Sequence, residues 1–162
     1  MNSSFSDRLV IFLASAVFLG YAPIAPGTFG TLAGIILYLG LGRLTFWAYA
    51  AAVVILIAVA VFLAGRAETY YGQKDDARIV IDEVAGYLVT MAGVKPGLAG
   101  VILGFFLFRF FDILKPWPVS VIDRKWPSGW GLVLDDVAAG IYASVSLHLL
   151  IFLYSSFIGQ AW

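Results

Sequence analysis

The sequence predicts an all-α integral membrane protein, a compact bundle of about five or six transmembrane or re-entrant helices forming one domain over residues 1–162. Three observations predict it. Hydrophobic residues make up 62% of the chain and charged residues 12%, with a mean hydropathy of +0.95, far from the balance of a water-soluble domain. The apolar residues form runs separated by short polar or Pro/Gly breaks, some near the ~20 residues a spanning helix needs and some shorter. Finally, charged groups gather at residues 109–136, between apolar stretches at 98–108 and 137–154. At membrane depth each would cost roughly 2.5–3.5 kcal/mol, which marks a functional site by default.

Composition also excludes. The formal net charge is zero and no polybasic run is present, which argues against nucleic acid and against electrostatic docking to a membrane surface. Lipid or ion is the expected partner, and no obligatory protein partner is implied. There is no cysteine, so disulfides, thiolate metal sites and cysteine nucleophiles are all ruled out. Residues 9–20 imitate a signal peptide, but Asp7 beside Arg8 and the following Tyr-Ala-Pro-Ile-Ala-Pro lack its pattern, so the segment is expected to be retained.

The first run, residues 8–21, is short enough to span obliquely, re-enter or lie at the interface. Pro23 and Pro26 then end the helix. Gly27 and Gly30 permit close backbone approach, while Thr28 and Thr31 offer hydroxyls and exposed amides at the next helix start. A plain connection with Thr as N-cap is the alternative. The second run, 30–41, is broken by Gly42-Arg43. The third, 44–65, is free of charge and carries Phe46, Trp47 and Tyr49 as an interface belt, so it reads as scaffold.

A polar loop is expected at 66–78, and the fourth run, 79–93, holds Asp82 and Glu83. Adjacent helical residues project ~100° apart, so both carboxylates can face one pocket only at the helix end. Gly86, one turn on, lets a neighbouring helix pack closely. Simple stabilisation of a helix N-terminus is the alternative use of these acids. After the turn Lys95-Pro96-Gly97, the fifth run covers 98–114 and puts Arg109 and Asp112 on one face, where an intrahelical ion pair is the alternative. Pro116 and Pro118 end it, a polar turn holds Asp123, Arg124 and Lys125, and Trp117, Trp126 and Trp130 suit the headgroup level. The sixth run, 134–157, opens on Asp135-Asp136, either of which has an N-cap role open to it. His148, the only histidine, is read as packed or interface-facing rather than catalytic.

If every run crosses, the loops at 22–29, 66–78 and 115–133 share one side. That side carries Arg66, Lys74, Arg78, Lys115, Arg124 and Lys125 against Arg8, Arg43 and Lys95 opposite, and the positive-inside rule makes it cytoplasmic. Asp82, Glu83, Asp112, Asp135 and Asp136 then gather there beside Arg109, Lys115 and Arg124. So many carboxylates repel unless a cation neutralises them, and hard oxygens without His or Cys suit Mg2+. Mg2+ with flanking guanidinium and ammonium groups suits a phosphate ester, whose transferring oxygens need charge stabilisation.

Four stretches carry a resemblance: Ala-Pro-Gly-Thr-Phe-Gly-Thr at 25–31, Ile-Val-Ile-Asp-Glu-Val-Ala-Gly at 79–86, Phe-Arg-Phe-Phe-Asp-Ile-Leu-Lys-Pro-Trp-Pro at 108–118, and Asp-Asp-Val-Ala-Ala-Gly at 135–140. In order and spacing, the chain closely resembles the phosphatidylglycerophosphatase A family over nearly its whole length. The resemblance implies Mg2+-dependent hydrolysis of phosphatidylglycerophosphate to phosphatidylglycerol and phosphate, the last step of phosphatidylglycerol synthesis, in a bacterial inner membrane. It implies a metal and catalytic centre of Asp82, Glu83, Asp112, Asp135 and Asp136, with Arg109, Lys115 and Arg124 around the phosphate. Within it, Glu83, Asp135 and Asp136 are expected to ligate Mg2+, Asp82 to orient or deprotonate water and Arg109 to clamp the phosphoryl group. Thr28 and Thr31 complete the pocket.

Rival readings fit less well. The spaced Asp and Gly run of CDP-alcohol phosphotransferases is not reproduced by Asp76-Ala77-Arg78 or the residues after it. Pro127-Ser128-Gly129-Trp130 has Trp where a histidine-nucleophile lipid phosphatase needs imidazole. A cation transporter would hold its acids near the bilayer midplane rather than at helix ends, and a scaffold subunit would not need them at all.

Overall fold

The computed structural model describes residues 4–117, 119–126 and 128–158. Among these, the chain forms α1 (Phe5–Ala14), a 3-10 turn (Leu19–Tyr21), α2 (Pro26–Leu41), α3 (Phe46–Tyr71), α4 (Ile81–Thr90), α5 (Leu98–Leu114), α6 (Val119–Lys125) and α7 (Ser128–Ile158), with no strand. The all-α expectation is met. Two helices, Phe46–Tyr71 and Ser128–Phe157, are long and apolar enough to cross a membrane. α2 is apolar but shorter.

The first run does not form one helix. α1 has 10 residues, about 15 Å of rise, which is half a hydrocarbon core. Its amino end is held by the Ser4 N–H donating to Asp7 Oδ2 at 3.1 Å. The buried Ser15 then ends it by accepting from the Phe18 N–H at 3.1 Å, and Ala16, Val17 and Phe18 all adopt left-handed backbone. Such a turn costs roughly 1–2 kcal/mol per non-glycine residue and carries no Gly or Pro signal, so the sequence pattern concealed it.

Other boundaries shift for simple reasons. α2 starts at Pro26, whose fixed φ and missing N–H suit a first helical position. α3 runs beyond residue 65 to Tyr71 because Arg66, Glu68 and Thr69 are compatible with helix once they leave apolar surroundings; Gly72, in left-handed conformation, closes it. The expected turn near residue 123 is instead the helix α6, and α7 starts six residues before the predicted position. The fifth run has the predicted limits.

The short helix α4 is central. Eight of its 10 residues are buried, and it packs against α2, α3, α5 and α7. Glycines allow this. A Cβ on Gly86 would lie 2.5 Å from the Phe108 ring and 2.7 Å from the Asp136 carbonyl oxygen, while one on Gly140 would run into the Gly86 carbonyl. α4 and α7 therefore cross backbone to backbone. Residues of two predicted loops meet at one end, where Ser128 donates to Glu68 at 2.6 Å, and Tyr21, just before the first loop, shares a hydroxyl hydrogen bond of 2.8 Å with Tyr71.

Candidate carboxylate centre

α4 presents Asp82 and Glu83 in its first turn, at the end of the bundle where α2 begins and α5 ends. α7 supplies Asp136 from its third turn rather than from its cap, so the N-cap alternative for that residue falls away. One carboxylate oxygen from each of Asp82, Glu83 and Asp136 lies within 4.8 Å of the others. Asp82 and Asp136 are each only 4% exposed. The fold leaves Asp82 Oδ1, Glu83 Oε2 and Asp136 Oδ2 buried without a hydrogen-bond partner. Buried polar atoms normally find partners, and three carboxylate oxygens left open this close together form an acidic cluster that could hold a cation.

The donor set fits a hard divalent ion. Two oxygens on one Mg2+ are at most about 4.2 Å apart, so the observed spacing needs only a small inward shift. With no nitrogen or sulfur ligand in the group, a soft transition metal is disfavoured.

Arg109, from the last turns of α5, borders the cluster. Its Nη1 lies 2.6 Å from Asp112 Oδ2 and 3.8 Å from Glu83 Oε1. The Asp112 contact is short but lacks hydrogen-bond alignment, and Arg109 Nε is also unpartnered. The guanidinium therefore retains donors for an anion. Gly27, in the first turn of α2, covers this edge: a Cβ there would collide with Glu83 Oε1 and lie 3.0 Å from Arg109 Nη1.

The five predicted acids divide. Asp82, Glu83 and Asp136 come together, whereas Asp112 faces Arg109, and Asp135 accepts from Lys115 Nζ at 2.5 Å and from the Asp136 N–H at 2.9 Å. Lys115 caps α5 in left-handed backbone, which turns its side chain toward α7. The buried Thr31 hydroxyl donates to the Gly27 carbonyl at 2.9 Å, in a helical back-bond, and Thr28 sits half-buried beside Gly27. The Arg124 side chain lies outside the described residues, as do those of Asp123 and Lys125 and all of Pro118 and Pro127. His148 Nδ1–H donates to the Ser144 carbonyl, 2.8 Å away, roughly three helical turns along α7 from Asp136.

One charged pair escaped the sequence reading. Asp76 and Arg78, read there as loop, form a bidentate ion pair just before α4. The Arg78 N–H also donates to Asp76 Oδ1 at 3.0 Å, an Asx turn, so an Asp two residues before the cation was the available signal.

An apolar helical chain that commits two buried acids, a half-buried third and a guanidinium to one place has the equipment of a phosphoryl-handling enzyme. Comparison with known proteins gives the same class. Residues 12–151 match the family Phosphatidylglycerophosphatase A, and the chain belongs to it. It is 33% identical over 144 residues to a phosphatidylglycerophosphatase A of Escherichia coli, covering 88% of this chain and 79% of that protein. It is 39% identical to the protein of that name in Haemophilus influenzae, covering 75% and 76%. A putative phosphatidylinositol-3-phosphatase of Bacteroides thetaiotaomicron is 34% identical, covering 78% and 83%. No solved structure matches the chain. The protein is therefore an enzyme, a phosphatase.

Proposed function

We propose that the protein hydrolyses phosphatidylglycerophosphate to phosphatidylglycerol and phosphate with Mg2+, as the last step of phosphatidylglycerol formation, from the cytoplasmic face of a bacterial inner membrane that it crosses several times. The observation that carries this reading is the group of three unpartnered oxygens on Asp82, Glu83 and Asp136. These residues would hold the ion, which supplies charge neutralisation at the phosphoryl oxygens and a more acidic bound water. Arg109 binds the phosphoryl group through its unpartnered donors. Asp82 orients the attacking water or takes its proton as the new P–O bond forms and the ester P–O bond to glycerol breaks. Asp112 and Asp135 keep Arg109 and Lys115 beside the reacting group, with Arg124, Thr28 and Thr31 at the rim of the pocket.

The membrane assignment rests on the two long apolar helices and on Trp117, Trp126 and Trp130, all exposed at the end that holds the acids. A second substrate has one specific observation in its favour, the name of the Bacteroides relative. The test is phosphate release from detergent-solubilised protein given phosphatidylglycerophosphate, phosphatidic acid or phosphatidylinositol 3-phosphate, each with Mg2+ and with excess EDTA. Release that requires Mg2+ and is fastest with phosphatidylglycerophosphate is expected. Preference for the inositol lipid would transfer the reading to that substrate, and release unaffected by EDTA would remove the ion.

A further inference from the structure

The segment at residues 72–80, between α3 and α4, holds a charge cluster built differently from the centre. Asp76 is 6% exposed, yet its carboxylate is fully engaged: Arg78 Nε donates to Oδ1 at 2.7 Å and Nη2 to Oδ2 at 2.6 Å. The Arg78 guanidinium also lies over the Tyr71 ring at 3.8 Å, and Tyr71 is bonded to Tyr21. The adjoining backbone is gripped as firmly. Gly20 lacks a side chain where the Arg78 carbonyl passes, the Ile79 N–H donates to the Asp76 carbonyl at 2.9 Å, and the buried Val80 N–H donates to the Ala14 carbonyl at 2.9 Å.

This matters because α4 has no side-chain cap. Val80 is its N-cap residue and offers no side-chain oxygen, so no capping side chain fixes where the helix begins. We propose that Asp76 and Arg78 are a positioning pair: by pinning residues 78–80 to the end of α1 and the Leu19–Tyr21 turn, they set where the first turn of α4 holds Asp82 and Glu83 relative to Asp136. The pair touches neither ion nor substrate. The inference rests on the reading of Asp82, Glu83 and Asp136 as a divalent-ion centre, in which displacements of an ångström decide whether three oxygens reach one ion.

The experiment compares wild type, Asp76→Asn, Arg78→Lys and the double variant in detergent. Mn2+ binding without substrate is followed by electron paramagnetic resonance, steady-state kinetics gives kcat and KM separately, and thermal unfolding monitors the fold. Mn2+ affinity should weaken on the order of tenfold in Asp76→Asn, the low end of what outer partners of metal ligands cost, with kcat falling in parallel and KM unchanged. Arg78→Lys keeps the charge but loses the fork and the stacking, so it should fall between, and it carries the test if Asp76→Asn does not fold. The double variant should lose no more than the worse single variant, since both break one unit. Wild-type Mn2+ affinity and kcat per folded molecule in the variants, or additive losses in the double, would overturn the positioning role. Wild-type protein that fails to bind Mn2+ would instead overturn the ion centre, and the inference with it.

Discussion

The two ends of α4 treat buried polar groups in opposite ways. Around its carboxyl end, the buried phenols are each matched to a carbonyl: Tyr49 donates to Leu88 at 2.7 Å, Tyr38 to Val94 at 2.8 Å and Tyr87 to Val101 at 3.1 Å. Around its amino end, Asp82, Glu83 and Asp136 keep buried oxygens with no partner. One helix and one set of neighbours produce both outcomes, so the unpartnered end does not reflect a fold unable to pair its polar groups. An unpaired buried charge costs more than an unpaired neutral group, so the open oxygens at the amino end are the costlier ones to leave, which is the contrast the proposed ion site accounts for.

The largest test of that contrast is Asp82→Asn. Hydrolysis should fall by roughly 10²- to 10⁴-fold, the range for a lost acid-base group. Replacing one of three crowded carboxylates by an amide should also raise the thermal midpoint in EDTA, since mutual repulsion is relieved, and should abolish the stabilisation that Mg2+ gives the wild type. Turnover near wild type would remove Asp82 from the chemistry. A lower midpoint in EDTA would mean that the acids support the fold rather than burden it.

Gly86→Ala acts on the link between the two ends. The added methyl would meet Phe108 and the Asp136 carbonyl, forcing α7 away from α4 and Asp136 away from Asp82. About 1–3 kcal/mol of stability should be lost to overpacking, with activity down on the order of tenfold or more. Unchanged kinetics together with lowered stability would show that the centre tolerates a shift of α7, contrary to the geometry. Tyr49→Phe is the counterpart at the other end. It strands the Leu88 carbonyl at a cost of about 1–2 kcal/mol in unfolding, while kcat and KM should stay at wild-type values. A loss of kcat would mean that the ends are coupled.

How much of this was legible in the sequence depended on whether the determinant was local. α5 could be bounded from its Pro-Gly start and its proline stop, and Asp82, Glu83 and Asp136 stood out as acids inside apolar runs. The left-handed Ala16, Val17 and Phe18 could not be foreseen, because those side chains disfavour the conformation and only the packing around them imposes it. The division of the acids was hidden too. Asp135 and Asp136 are neighbours in sequence, yet one faces Lys115 and the other joins Asp82, and only the rotation of α7 against α4 and α5 decides which. Glu68 was read as a loop charge because its partner Ser128 lies sixty residues away.

The smallest effect concerns Asp76, a carboxylate as buried as those of the centre but fully partnered. Hydrogen bonds from the Arg78 side chain hold its carboxyl below the usual carboxylate range, against the opposing effect of burial. Its folded pKa thus lies under the unfolded value of about 3.9, so below neutral pH the unfolded chain takes up its proton first. The stability that Asp76 contributes is complete above the unfolded value and is lost as pH falls through the folded one. The stability difference between wild type and Asp76→Asn, measured by unfolding in detergent, should therefore stay level from pH 7 to about 5 and shrink below about pH 4. A difference that persists unchanged into acid would mean that Asp76 serves only as a neutral acceptor. The contrast between a carboxylate paired by the protein and carboxylates left for an ion would then lose its electrostatic basis.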